Sequence, residues 1–176
     1  MLIEKVSGKT YEQFLRERIF APLGMRDTRL DNSAEIIPNR ADGYTWHNNG
    51  FRNAERPNPT LSFSNAGLIS TVLDLAKWDA ALYTEKLLKK STLEQMWTNP
   101  KLNNGQIVSD YGLGFNLTPF RGHKRVGHSG GHTGFATTIT RFVDDKVTVI
   151  VLTNADQEGS SISEIAKEIA SYYFAK

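Results

Sequence analysis

Apolar residues recur at helical spacing near both ends of the chain and at strand spacing in its C-terminal half. Leu2, Ile3 and Val6 share a helical face, followed by Ser7 and by Gly8 at a position suited to a left-handed C′ residue. Thr10 and Gln13 pair as a capping box before a helix expected from about Tyr11 to Phe20. Tyr11, Phe14, Leu15 and Ile19 fall on its inner face, and Pro22 with Gly24 is expected to end it. Residues 27–60 lack sustained periodicity, and so long an irregular stretch often forms the wall of a groove. Within it, ADGYTWHNNGFRNAE reads as a hairpin with Asn48, Asn49 and Gly50 at the turn. AGLISTVLDLAKWDAALYTEKLL predicts a helix opening at Ser70 or Thr71, with Asp74 in its first turn and Leu75, Trp78 and Leu82 toward the core. Ser91 and Glu94 repeat the capping-box pattern ahead of a short helix ending near Trp97.

From Tyr111 the pattern changes to strands. YGLGFNLTPF, FATTITRFV and VTVIVLTN are expected to be antiparallel, with Asp144 and Asp145 turning between the last two. The third is almost continuously apolar, which suits a strand covered on both faces. SSISEIAKEIASYYFAK closes the chain as an amphipathic helix whose stripe is Ile162, Ile165, Ala166, Ile169 and Tyr173. Helices and loops, then antiparallel strands, then a closing helix make an α+β fold with helices packed on the sheet.

Composition narrows the class. At 176 residues, 39% hydrophobic and 23% charged, the chain is an ordinary globular domain in size and make-up. The net charge of +2 comes from Lys and Arg spread along the chain, which argues against a nucleic-acid partner. There is no cysteine, hence no disulfide framework and no thiolate chemistry. No stretch predicts a membrane span, and MLIEKVSGKT lacks the charged-then-apolar order of a signal peptide. It reads instead as the last turns of a helix, so an N-terminal part is expected to be missing.

VGHSGGHTGFATT, Val126 to Thr138, concentrates the candidate chemistry. Read by itself it admits a metal site, a phosphate loop, a nucleophile or a plain glycine-rich turn. A metal would draw on His123, His128 and His132, but no carboxylate or His-Glu-x-x-His helix joins them, so none is expected. A phosphate loop needs a following helix and a Lys-Ser/Thr pair, whereas a β-branched run follows here. Nothing in the sequence calls for a cofactor. In isolation the glycine-rich turn is the simplest reading.

Its context points further. GHSGGHTGFATT, preceded by YGLGF and followed by VIVLTNAD, resembles the third-motif strand of the β-lactamase-related serine hydrolases. This superfamily includes class C β-lactamases, D-alanyl-D-alanine carboxypeptidases, D-aminopeptidases and family VIII esterases. FLRERIFAPLGMRDT and AGLISTVLDLAKW resemble further stretches of the same proteins in the same order, so the resemblance spans nearly the whole chain. It implies the C-terminal portion of the β-lactamase and penicillin-binding-protein fold, a single partial domain over residues 1–176. The third motif, Lys-Thr-Gly or His-x-Gly, falls on His128, Ser129 and Gly130. The match implies that His128 helps poise the proton relay, that Ser129 hydrogen-bonds the substrate and that Gly130 admits its backbone. The backbone N–H of Gly131 would be one oxyanion-hole donor, the other being the nucleophile's own N–H.

The departures carry equal weight. No serine has a lysine three residues later: Lys9 follows Ser7 by one residue too few and Lys167 follows Ser163 by one too many. The family's Ser-x-x-Lys nucleophile motif is therefore missing. Phe63–Asn65 mimics its Tyr-x-Asn motif without the hydroxyl, and Asn65 is expected to be a cap or turn residue. Three readings follow. The chain is a hydrolase part inactive alone, acting on a small acyl substrate only in the complete protein; or a non-catalytic ligand-binding or interaction module; or a residual hydrolase using Ser129 with His128 or His132. Neighbouring strand residues point to opposite faces, which disfavours the last. The resemblance implies that strands from the N-terminal part pair with VTVIVLT; without them its far edge and the residues Ile165 and Ile169 should be left uncovered, predicting self-association or pairing with the missing part.

Overall fold

The computed structural model describes residues 2–55, 64–156 and 161–174. In chain order the elements are α1 (Leu2–Ser7), α2 (Tyr11–Leu15), a π-helical turn (Arg16–Phe20), α3 (Ala21–Leu23), β1 (Arg29–Leu30), β2 (Tyr44–His47), β3 (Gly50–Asn53) and β4 (Leu68–Ile69). They continue with α4 (Val72–Ala81), α5 (Lys90–Met96), β5 (Arg125–His132), β6 (Phe135–Phe142), β7 (Val147–Thr153), β8 (Ala155–Asp156) and α6 (Ile162–Ser171). The chain forms two compact units, one of Met1–Arg40 with Pro57–Lys89 and one of Ala41–Arg56 with Lys90–Lys176.

In the first unit, Gly8 takes φ 69° and its N–H donates to Glu4 O at 2.9 Å, closing α1 as the sequence predicts. Thr10 and Gln13 form the expected reciprocal cap on α2. The helix then widens into the π turn and runs on through α3, with Pro22 inside it. Pro22 does not itself end the helix: it directly follows the π turn, where the Ala21 N–H donates to Arg16 O and the regular i to i−4 ladder is already interrupted. Gly24, at φ 67°, is the stop. Tyr11, Leu15, Phe20 and Met25 form the buried cluster, packed by Ile3, Phe14, Ile19, Leu23, Leu30 and Trp78.

Thr71 caps α4, accepting from the Asp74 N–H at 3.2 Å. The helix stops at Ala81, with Leu82 at its C-cap and buried. Asp74 is more than a first-turn acid, because it is completely buried. Its Oδ2 accepts from the Asp27 N–H at 2.8 Å and the Thr28 hydroxyl at 2.9 Å, and its Oδ1 pairs with Lys77 Nζ at 2.7 Å. Burial pushes its carboxyl up, but Lys77, the Asp27 amide and Thr28 together outweigh burial and hold it below the usual aspartate value.

The second unit holds the antiparallel sheet β5–β6–β7 and the hairpin β2–β3, whose first strand also pairs with β8 in parallel. The hairpin turns where expected. Asn48 and Asn49 take φ 48° and 64°, the doubly left-handed turn that matches strand twist, while Gly50 already pairs with His47. Its base is fastened beside the β5–β6 turn. Gly134 (φ 78°) donates to Asp156 Oδ2 at 2.6 Å, and a Cβ on Gly134 would sit 2.6 Å from Ala54 Cβ and 2.8 Å from Gly43 Cα.

FATTITRFV and VTVIVLTN become β6 and β7, joined through Asp144 and Asp145. YGLGFNLTPF is not a strand. It is a folded loop with single bridges, Tyr111 to Asn116 and Asn116 to Gly127, bent at Gly114 (φ 83°). The third strand of the sheet is β5 itself, which carries the histidine–serine stretch. Every residue of β7 is half-buried rather than enclosed. Ser91 also departs from expectation, lying inside α5 rather than before it.

The closing helix α6 rests on its small residues, Ala166 and Ala170, both completely buried. Of the expected stripe Ala166 is buried, Ile165 and Ile169 are uncovered as the absence of an N-terminal part predicts, and Tyr173 is exposed. Phe174 follows the helix and packs on Phe142 with ring centroids 4.7 Å apart. Gly127 lies under the tightest constraint in β5. A Cβ there would sit 2.5 Å from Ile139 O, a backbone atom of the paired strand. Gly127→Ala is expected to cost about 2 kcal/mol, typical of overpacking a closed site. Thermal unfolding followed by circular dichroism checks it, and an unchanged midpoint contradicts it.

Candidate functional site

The β5–β6 register sets the site. Residues directly opposite share a face, so Ser129, Thr138 and Val151 lie on the face with Phe142, where Phe174 packs. His128, Ile139 and Ile150 lie on the other face, with Arg141, whose guanidinium sits 5.0 Å from the Trp97 ring centroid. His128 and Ser129 therefore diverge, although both are exposed. Among the described residues no hydrogen bond joins the Ser129 hydroxyl to His128 or His132. His132 Nδ1 accepts instead from the Thr133 N–H at 2.9 Å.

The amide directions follow from one bridge. Gly127 N–H donates to Asn116 O at 3.1 Å, and Asn116 N–H donates to Gly127 O at 2.7 Å. Gly127 thus turns its peptide groups away from β6. In an antiparallel ladder this direction alternates, so Ser129 and Gly131 turn theirs the same way, while His128 and Gly130 turn theirs to β6. Past Gly127, no other described strand pairs with this edge of β5. The N–H of Gly131 is therefore aimed off the open edge, as an oxyanion donor must be. Gly131 has open space where a Cβ would stand. A Cβ on Gly130 would come within 2.9 Å of Thr137 Oγ1, a side-chain hydroxyl that would have to turn away to admit it.

His128 Nε2 lies 2.7 Å from the Tyr111 hydroxyl, and the two rings meet edge to face at 5.7 Å. Tyr111 has no role in the sequence reading, which places it at the start of a strand. The nearest signal is the YGLGF match, whose glycines allow the loop that carries the ring back to β5. The three histidines do not converge. His128 and His132 are four strand residues apart, about 13 Å at strand rise. His123 is engaged elsewhere, pairing with Asp145 at 2.9 Å and stacking on Phe174 at 3.9 Å. Phe63, of the Tyr-x-Asn mimic, lies outside the described residues.

An α+β unit with an antiparallel sheet and a His-Ser-Gly-Gly strand at an open edge places the chain among penicillin-binding-protein-like folds. Solved structures agree. The octameric penicillin-binding protein homologue from Pyrococcus abyssi superposes with a TM-score of 0.81 at 33% identity, over 97% of this chain and 39% of that one. The D-amino acid amidase from Ochrobactrum anthropi SV3 superposes with a TM-score of 0.80 at 25% identity, over 97% of this chain and 55% of that one. In sequence, Penicillin-binding protein 4* of Bacillus subtilis (strain 168) is 34% identical over 90% of this chain, which spans 38% of that protein's length. The Beta-lactamase family model matches residues 1–173, and the chain belongs to that family. No described helix is long and apolar enough to cross a membrane.

Proposed function

We propose that the chain is the C-terminal, substrate-binding part of a serine hydrolase that transfers the acyl group of an ester, amide or β-lactam. In the complete protein, a serine on the N-terminal part would attack the carbonyl carbon. The oxygen that gains charge would be held between that serine's N–H and the Gly131 N–H. Collapse would break the bond to the alcohol or amine, which departs from an ester or amide and stays tethered in an opened β-lactam, and water would then release the acyl group. Ser129 and Gly130 would border the substrate, and His128 would offer a hydrogen-bonding group on the opposite face of the strand. The outward-turned Gly131 amide on the unpaired edge of β5 carries this reading, since preorganised donors at such a position are worth about 3 kcal/mol in acyl transfer. The D-amino acid amidase relative supports a small acyl substrate.

The chain contains no Ser-x-x-Lys, so the serine–lysine pair that activates the family's nucleophile is missing from it. Purified chain is expected to hydrolyse neither nitrocefin nor p-nitrophenyl acetate above a boiled control. A saturable rate lost in Ser129→Ala contradicts this and promotes the residual-hydrolase reading. Supplying the N-terminal segment with the two missing motifs is expected to give turnover. A pure binding module would hold ligand without turnover under the same conditions.

A further inference from the structure

We propose that Tyr111 is a positioning residue that locks the neutral imidazole of His128 as its Nδ1–H tautomer, so that the donor offered to the site is Nδ1–H. No carboxylate pairs with His128 among the described residues. Its close polar neighbour is the Tyr111 hydroxyl, 2.7 Å from Nε2.

The direction of that bond follows from the two groups. A phenol is a good donor and a poor acceptor, because its oxygen lone pair is delocalised into the ring. A neutral imidazole has one good acceptor nitrogen. The favoured arrangement has the Tyr111 O–H donating to Nε2, which leaves the ring hydrogen on Nδ1. Histidine in water prefers the opposite tautomer, so the phenol must hold this one in place.

The loop is built to do so. Tyr111 N–H donates to Ser109 Oγ at 2.8 Å, Gly112 N–H to Phe115 O at 2.8 Å, and Leu113 N–H to Met96 O at 3.1 Å. Leu117 N–H donates to Asp110 O at 2.7 Å, and Asn99 Nδ2 holds both Ser109 O and Asp110 Oδ1. A Cβ on Gly112 would lie 2.2 Å from Met96 O, so the loop sits hard against the end of α5. A hydroxyl carried on a backbone tied at so many points has little freedom to leave Nε2. Both residues are nonetheless exposed, which leaves the imidazole open to a ligand on the side away from Tyr111. The use of that donor toward substrate rests on the proposed function; the tautomer does not.

Nitrogen-15 NMR of the imidazole groups in the full 176-residue chain, at a pH where they are neutral, reads the tautomer directly. His128, assigned by the signal lost in His128→Gln, is expected to show a protonated-type Nδ1 and a bare-type Nε2. Tyr111→Phe, which removes one oxygen atom, is expected to invert this and make Nε2–H the majority form. A wild-type His128 protonated at Nε2 overturns the proposal even if the variant does not fold. An unchanged tautomer in folded Tyr111→Phe overturns it as well. Because neither result depends on turnover, failure here and failure of the hydrolase reading are separate outcomes.

Discussion

Asp74→Ala is expected to lower the stability of the first unit by about 3 kcal/mol, because it leaves buried donors without an acceptor. The Asp27 N–H and the Thr28 hydroxyl both converge on Oδ2, at 2.8 and 2.9 Å. Lys77 contributes less to the loss, since its side chain is half-exposed and water replaces the carboxylate. The Thr71 cap survives, because the Asp74 N–H that it accepts belongs to the backbone. The same network sets an acid response. The folded carboxyl is held below its ordinary value, so its contribution is intact above about pH 3.9, the unfolded aspartate value, and disappears as pH falls through the folded one. Urea unfolding at pH 7 and again near pH 3 checks both statements. Wild type should approach Asp74→Ala in stability at the lower pH, and equal midpoints at pH 7 contradict the account.

The second large effect is association. Light scattering of the chain at about 0.1 mM, a range in which exposed apolar surface and strand edges associate, is expected to report more than one chain per particle. Two features share the cause. β6 covers one edge of β7, and no described strand pairs with the other. On α6, Ile165 and Ile169 are 51% and 41% exposed, and Tyr172 and Tyr173 still more. Single exposed apolar residues are ordinary, but two on one short helix and two just past its end form a patch. A second copy offers the same edge and the same helix, which is the self-complementary pairing a two-fold dimer requires. Ile165→Lys with Ile169→Lys should shift the population toward the monomer with little cost to folding, because neither side chain is in the core. A wild-type chain that is monomeric at this concentration contradicts the prediction.

Local chemistry made much of the fold legible, and tertiary packing decided the rest. Thr10 with Gln13, Thr71 with Asp74, and Asn48 with Asn49 are short-range devices, and each forms where the residues predict it. YGLGFNLTPF misleads because its apolar alternation suits a strand. Gly112 and Gly114 instead let it bend, and it hydrogen-bonds to the end of α5. On α6 the apolar stripe includes Ala166, but periodicity does not show that Ala170 is buried beside it. Close approach to a sheet favours alanine, and Ala166 and Ala170 make that contact. The site is legible to a similar depth. His128, Ser129, Gly130 and Gly131 can be picked out from a motif, but the side to which each turns depends on the bridge between Gly127 and Asn116. Tyr111 could not be assigned from spacing, since seventeen residues separate it from the histidine it meets.

Under the proposed function this chain carries a substrate edge and an oxyanion donor but no nucleophile. Intact-mass spectrometry after incubation with benzylpenicillin and with a fluorophosphonate reads this without any assay of turnover. The chain mass is expected to stay unchanged with both reagents. A stoichiometric adduct on a single serine, above all Ser129, would contradict it.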